Sequence, residues 1–328
     1  MMYSIQYLRA IAAILVVILH SFYKESQYIM KLNSNMLFAN IGVDIFFVIS
    51  GFIMAYTFKE NSNGNVFLIK RCIRILPLYW LTSILALLSI LLFGGQSVEK
   101  IYATNIFYSF FLIPSETEFL NPNGWTLTYE FIFYFIFSIP IFMRLNKWQS
   151  LKLASVIILC MPLLGWFFDI RTILLETITS SILVEFFYGI IMYCIYYKFN
   201  VFKGNLLCSL LMLLISAFMF ILLQSYPRYI SFGIPALLFC MSIVNLENKL
   251  KCGGRNLMFI IGESSYSIYL IHAFILAGFS PIFIKVFGAN DSYFFIFLLV
   301  VSSIISGLLT YRFVEVKINN LIKKQVAV

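Results

Sequence analysis

Ten long apolar runs dominate this sequence, drawn at about 5–23, 36–58, 73–93, 125–143, 151–168, 178–197, 206–223, 229–245, 259–285 and 293–313. Each is long enough to cross a bilayer. Hydrocarbon offers no water to backbone N–H and C=O groups, so only helices and closed barrels span it. Barrel strands read as alternating segments of about ten residues, whereas these runs are continuous. The expected fold is therefore all-α, a polytopic helical bundle of about ten transmembrane helices. A soluble alternative is excluded by composition: with 62% hydrophobic and 11% charged residues, there is too little polar surface to cover a water-soluble domain. The apolar segment 101–113 is short and ends in Pro114, so it reads as interfacial or re-entrant. No hydrophilic stretch is long enough for a second domain, and residues 1–328 are expected to form one membrane domain.

A formal charge of +9 could point to nucleic acid, but the cations sit in short loops between apolar runs. With a cytoplasmic amino terminus, the inner loops hold Lys59, Lys70, Arg71, Arg74, Arg144, Lys147, Lys152, Lys198, Lys203, Lys249, Lys251, Arg255, Arg312, Lys317, Lys323 and Lys324. The outer loops hold only Lys24, Lys31, Lys100, Arg171, Arg228 and Lys285, with Arg9 inside the first run. That bias satisfies the positive-inside rule and predicts both termini cytoplasmic. The first run lacks a small-x-small cleavage site at residues 21–24 and is expected to be retained. The six cysteines fall in helices or at their cytoplasmic ends without zinc-type spacing, so neither a disulfide framework nor a metal site is expected.

Function is sought in the ionisable residues that the spans bury at a cost. Arg9 and His20 are eleven residues apart, close to three helical turns, so they share one face about 16 Å apart along the axis. The plainer account is a snorkelling arginine and a carbonyl-bonded histidine. Asp44, about 12 Å below the outer end of the second span, needs a cationic or hydrogen-bonding partner, for which His20 is a candidate. Arg71 and Arg74 share a helix face and suit phosphate, although topology alone also calls for cations there. Glu130 lies roughly 8 Å deep on the fourth span, below Trp125 and Tyr129, which could equally be interfacial belt aromatics. His272 stands about 20 Å up the ninth span, and the serines around it suit helix packing. Glu185, Glu263 and Glu315 carry no assigned chemistry.

Five motifs in order resemble the membrane-bound acyltransferase-3 family. They are Leu8-Arg9 with His20; Gly42-Val-Asp-Ile-Phe-Phe-Val-Ile-Ser-Gly-Phe52; Arg71-x-x-Arg74 with Pro77-Leu-Tyr79; Trp125-Thr-Leu-x-x-Glu130 with Phe133-Tyr134; and Ser265-Tyr-x-x-Tyr269-Leu-x-His272. Each is weak alone, but the ordered set is specific and runs from Ile5 to about Val314. Near the end, similar proteins often read Tyr-Arg-Phe-x-Glu-Arg-Pro where this chain reads Tyr311-Arg-Phe-Val-Glu315-Val-Lys. The resemblance implies a ten-helix enzyme of the bacterial inner membrane that moves an acyl group, usually acetyl from acetyl-CoA, to a hydroxyl of a polysaccharide or lipid-linked sugar, such as exopolysaccharide or O-antigen. Some members carry a further esterase-like domain, and here the chain stops soon after the last span.

On that basis Arg9, Arg71, Arg74 and Tyr79 are expected at the acyl-CoA donor, and His20, Asp44, Glu130 and His272 at the chemistry. His20 would act as general base, oriented by Asp44 or Glu130. Trp125 and Tyr129 are expected against the sugar. A covalent acyl intermediate on His20 or a serine remains open. The rival readings are a secondary transporter and a polysaccharide flippase or polymerase. A transporter would be expected to show repeats and broken helices, neither of which is legible in the sequence.

Overall fold

The computed structural model describes residues 2–32, 37–60, 62–93, 103–168, 172–198, 204–288 and 291–326. Lys100, Arg171 and Lys203 lie outside the described residues, as do residues 101–102 and the side chains of Lys198, Lys323 and Lys324. Among the described residues there is no strand. The helices are α1 (Tyr3–Tyr28), α2 (Ile41–Thr57), α3 (Gly64–Phe93), α4 (Ala103–Phe110), α5 (Gly124–Phe142), α6 (Lys147–Phe167), α7 (Ile173–Ile178), α8 (Val184–Tyr193), α9 (Leu206–Leu222), α10 (Arg228–Ser231), α11 (Gly233–Asn245), α12 (Glu247–Cys252), α13 (Leu257–Glu263), α14 (Ser265–Phe287), α15 (Ser292–Thr310) and α16 (Val316–Val326).

Nine helical segments among the described residues are long and apolar enough to cross a membrane. The seventh run folds as α9, whose 17 residues lie at the short end of the spanning range. Its polarity is inside-out: Ser209 and Ser216 are its buried positions, while Leu207, Leu211, Leu214, Phe218 and Ile221 are exposed. Water would penalise that arrangement and lipid rewards it, because small polar residues let helices close on one another. The eight-residue α4 is too short to cross.

The chain forms two compact units. The first comprises Met1–Ile49 and Ile195–Lys317. Here α1 packs against α13, α14 and α15, with Ala10, Ala13 and Val17 in contact with Ile261 and Ile268. Its free amino-terminal N–H groups are met by an anion: Tyr3 N and Ser4 N donate to the Glu247 carboxylate at 2.9 and 2.7 Å. At its other end, fully buried Glu25 accepts from Ser292 Oγ at 2.7 Å and from the backbone N–H groups of Lys31 and Leu32. The α9–α11 pair is pinned by Ser216 Oγ on Pro235 O and by Asn245 Nδ2 on Ser209 Oγ, both at 2.8 Å.

The second unit comprises Ser50–Cys194 and Ile318–Val328, with α3, α5, α6 and α8 as its long elements. Phe133 stacks on Phe186 at 4.4 Å. Asn121 Nδ2 donates to Thr82 Oγ1, and Asn121 Oδ1 accepts from Asn123 N, so buried amides tie the start of α5 to α3.

Glycine permits the tightest approaches. A Cβ added at Gly262 would lie 2.0 Å from Gln6 O, and one at Gly51 would lie 2.0 Å from Phe186 O. Backbone cannot yield as a side-chain tip can, so Gly262→Ala should push α13 off α1 and destabilise the protein by about 1–3 kcal/mol. Thermal melting in detergent checks this, and an unchanged Tm would contradict the close packing.

Three sequence expectations change. The third span starts at Gly64 and not near residue 73, so Arg71 and Arg74 stand inside a helix and not at its mouth. The ninth run divides at Ser264 into α13 and α14, and the sixth, which starts where α7 ends, resolves into a 3-10 turn at Ser181–Leu183, α8 and a π turn at Cys194–Lys198. The expectation of unbroken helices is thus corrected. The breaks fall where hydroxyls meet backbone groups that a continuous helix would use: Ser180 Oγ accepts from Ile182 N, and Ser264 Oγ donates to Ile260 O and Ile261 O.

Candidate functional site

Two polar clusters form, one within each unit. In the first unit the two histidines meet across α1 and α14, with ring centroids 5.0 Å apart and planes at 66°. Their contact puts His20 on a face of α1 that α14 covers. His20 is half-buried, with Nδ1 2.8 Å from Val16 O. His272 is fully buried, with Nδ1 2.7 Å from Tyr269 O, and its Nε2 has no hydrogen-bond partner among the described residues. Rings extend the contact, since Tyr269 lies 5.9 Å from Phe46 of α2.

Asp44 does not pair with His20 in its described bonds. Arg228, at the start of α10, grips it from two sides, Nε on Oδ1 and Nη2 on Oδ2, both at 3.0 Å. The aspartate side chain is 0% exposed and the arginine 33%. This corrects the expectation that Asp44 orients the histidine, and the reason is geometric: a guanidinium offers a carboxylate two parallel N–H donors, where an imidazole offers one. Sequence reasoning counted Arg228 as a loop cation. A signal was present all the same, because a buried carboxylate requires a counter-charge and Arg228 is among the few cations assigned to the same side.

Arg9 is half-buried in the first unit, and its charge acts on the Tyr311 hydroxyl together with those of Glu263, Glu315 and Arg255. Arg255 Nη2 pairs with Glu263 Oε2 at 2.5 Å, and Ser267 Oγ donates to Glu315 Oε2 at 2.5 Å. These contacts occupy both glutamates structurally.

In the second unit Tyr134 connects Arg71, Arg74 and Glu130. Its hydroxyl donates to Glu130 Oε1, which also accepts from Ser50 Oγ at 3.2 Å. The Arg71 guanidinium lies 5.6 Å from the Tyr134 ring and 5.3 Å from that of Phe67. Both arginines and Glu130 act electrostatically on Tyr134. Glu130 is therefore held by a tyrosine and a serine. Arg71 Nε is buried without a hydrogen-bond partner among the described residues, an unspent donor. Arg74 is exposed. Tyr134 was visible in the sequence only as part of a motif. Its linking role follows from an i,i+4 relation to Glu130 on α5.

Tyr79 is fully buried, and its hydroxyl donates to Ser109 O at 2.8 Å. A Cβ at Gly124 would lie 2.7 Å from the Tyr79 hydroxyl oxygen. The residue expected at the donor thus braces α4 and the start of α5. Trp125 is exposed there and meets Tyr129 edge-on at 6.1 Å. No group of metal-ligating side chains forms among the described residues.

A family model described as an acyltransferase domain matches residues 2–312, almost the entire chain. The chain belongs to the acyltransferase family. The chain is similar to the exopolysaccharide production protein ExoZ of Rhizobium meliloti (strain 1021), 29% identical over 245 residues that cover 72% of this chain and 76% of that protein. It is similar to the acyltransferase MdmB of Streptomyces mycarofaciens, 25% identical over 274 residues, 72% of this chain and 68% of that one. Nodulation protein 10 of Rhizobium leguminosarum bv. viciae matches at 27% over 150 residues, 40% of each chain. No solved structure matches. With interrupted helices present, their apparent absence from the sequence no longer counts against a transporter, and it is family membership along residues 2–312 that favours transfer chemistry over transport.

Proposed function

We propose that this chain is a single-domain O-acyltransferase of the bacterial inner membrane, with both termini cytoplasmic. It moves an acyl group, acetyl in the simplest case, from acyl-CoA to a hydroxyl of a cell-surface or lipid-linked carbohydrate. The observation that carries the proposal is the acyltransferase match along residues 2–312. The name of the exopolysaccharide relative supports the carbohydrate acceptor.

His20 is the general base. Its Nδ1 engages a carbonyl, which leaves Nε2 to take the hydroxyl proton as the oxygen attacks the thioester and to return it to the departing thiolate. Arg71 and Arg74 bind the donor phosphates. Arginine keeps its charge when desolvated, and the unspent Nε of Arg71 is available for an anion. Arg9 is a further phosphate ligand, while Tyr79 serves this site by bracing its neighbours. Glu130 holds Tyr134 beside Arg71, and Trp125 and Tyr129 offer the sugar a stacking surface.

The decisive experiment supplies purified protein in lipid with radiolabelled acetyl-CoA. Acetyl transfer or thioester hydrolysis is expected; a chain that only moves a solute or a glycan across the membrane would leave the thioester intact. Replacing Arg71 and Arg74 together with alanine should raise the KM for acetyl-CoA about tenfold or more, because two charge-assisted contacts are lost. An unchanged donor KM would reject the phosphate assignment.

A further inference from the structure

The two histidine rings are each held through Nδ1, and by the same kind of partner. A carbonyl oxygen can only accept, so the contacts to Val16 O and Tyr269 O place a proton on Nδ1 of both rings. In neutral imidazole the other nitrogen is then a bare acceptor. For His272 that nitrogen is fully buried and has no partner among the described residues, at a ring distance of 5.0 Å from His20. Buried acceptors are normally satisfied, so an orphan beside a reactive side chain requires an explanation. The other rings against the pair are tyrosines: Tyr23 lies 5.9 Å from His20 and Tyr269 lies 5.9 Å from His272. Asp44, the carboxylate of the same unit expected to orient His20, is engaged by Arg228.

We propose that His272 is the positioning residue for the base His20. It remains neutral, and its bare Nε2 stabilises the imidazolium that His20 becomes. A carboxylate gives the same charge stabilisation in a hydrolase triad, while here the orienting hydrogen bond is the one from His20 Nδ1 to Val16 O, and the inference rests on the general-base reading above. The proton balance closes without a net change on His272. The hydroxyl proton passes to His20 Nε2 as the oxygen bonds to the thioester carbon. The C–S bond then breaks, and the sulfur leaves with its electron pair and recovers that proton as the free thiol. A neutral imidazole suits such a transient cation. Its negative dipole end is available in surroundings of low dielectric constant, yet it adds no buried charge while the base rests.

The test separates the two nitrogens of His272. His272→Asn retains an N–H for Tyr269 O but has nothing at the Nε2 position, whereas His272→Gln extends an amide that offers an acceptor there. Membrane vesicles containing each variant receive radiolabelled acetyl-CoA, and label entering the glycan fraction is followed. H272N should lower kcat about tenfold or more with the KM for acetyl-CoA within about twofold. H272Q should stay within about threefold of the wild-type kcat. An H272N variant as fast as wild type overturns the inference, as does equal loss in both variants accompanied by a shift in KM. Should H272N not accumulate in the membrane, His272→Met replaces it, with the same split expected and equal rates for Met and Gln overturning the inference. His20→Ala measured alongside keeps the two readings apart. If it retains turnover the general-base reading falls; if it is silent while H272N is normal, only the role of His272 falls.

Discussion

On the proposed roles, replacing His20 with alanine should abolish acyl transfer, with the protein still inserted and acetyl-CoA binding retained. General-base catalysis contributes about 10²–10⁴ in rate, and no second described histidine has the partial exposure needed to take over, because His272 is fully buried. The side chain is held by one bond to its own helix, Nδ1 to Val16 O. Its removal therefore deletes the proposed base without breaking a hydrogen bond between helices, although the ring contact with His272 is lost. Label transfer from acetyl-CoA in vesicles measures the loss, and equilibrium binding of acetyl-CoA shows that the donor site persists. Transfer at the wild-type rate would remove His20 from the reaction.

The largest effect on stability is expected at Arg228. Its two bonds to Asp44 neutralise a carboxylate with no exposed surface. Removing one partner of a buried pair costs about 3–5 kcal/mol, because the remaining charge stays desolvated. With Arg228 one-third exposed, the lower end of that range applies. Arg228→Met should therefore lower the Tm sharply, and Asp44→Asn in the same background should recover part of it, since the orphaned charge is gone. That recovery distinguishes a charge effect from lost packing. If Arg228→Met melts with the wild type, the ion pair does not hold α10 against α2. The pairing also changes what Asp44→Asn reports: any loss of activity comes through the placement of α2 and α10, not through the tautomer of His20.

The acyltransferase character was legible because its signals are local and ordered. Arg9 and His20 share a helix face through simple periodicity, and Arg71 and Arg74 do so by an i,i+3 relation. The glycine-bounded segment around Asp44 marks close helix approach; a Cβ at Gly42 would lie 2.7 Å from Ala12 O. Helix breaks at Ser180 and Ser264 were not legible, since hydropathy averages over a run and cannot register the side-chain bonds that end a helix inside it.

By itself, the sequence determined the all-α membrane architecture, the approximate position of each span and the roster of ionisable residues that spans must hide. Those follow from solvent: hydrocarbon forbids unpaired backbone groups and penalises charge, and both constraints act on consecutive residues. Partner choice was decided only by tertiary structure. Asp44 took Arg228, 184 residues away, Glu130 took Tyr134 and Ser50, and His20 met His272. Each carboxylate and imidazole had several chemically acceptable partners, and only the packing of helices distant in sequence determines which one lies within hydrogen-bonding distance.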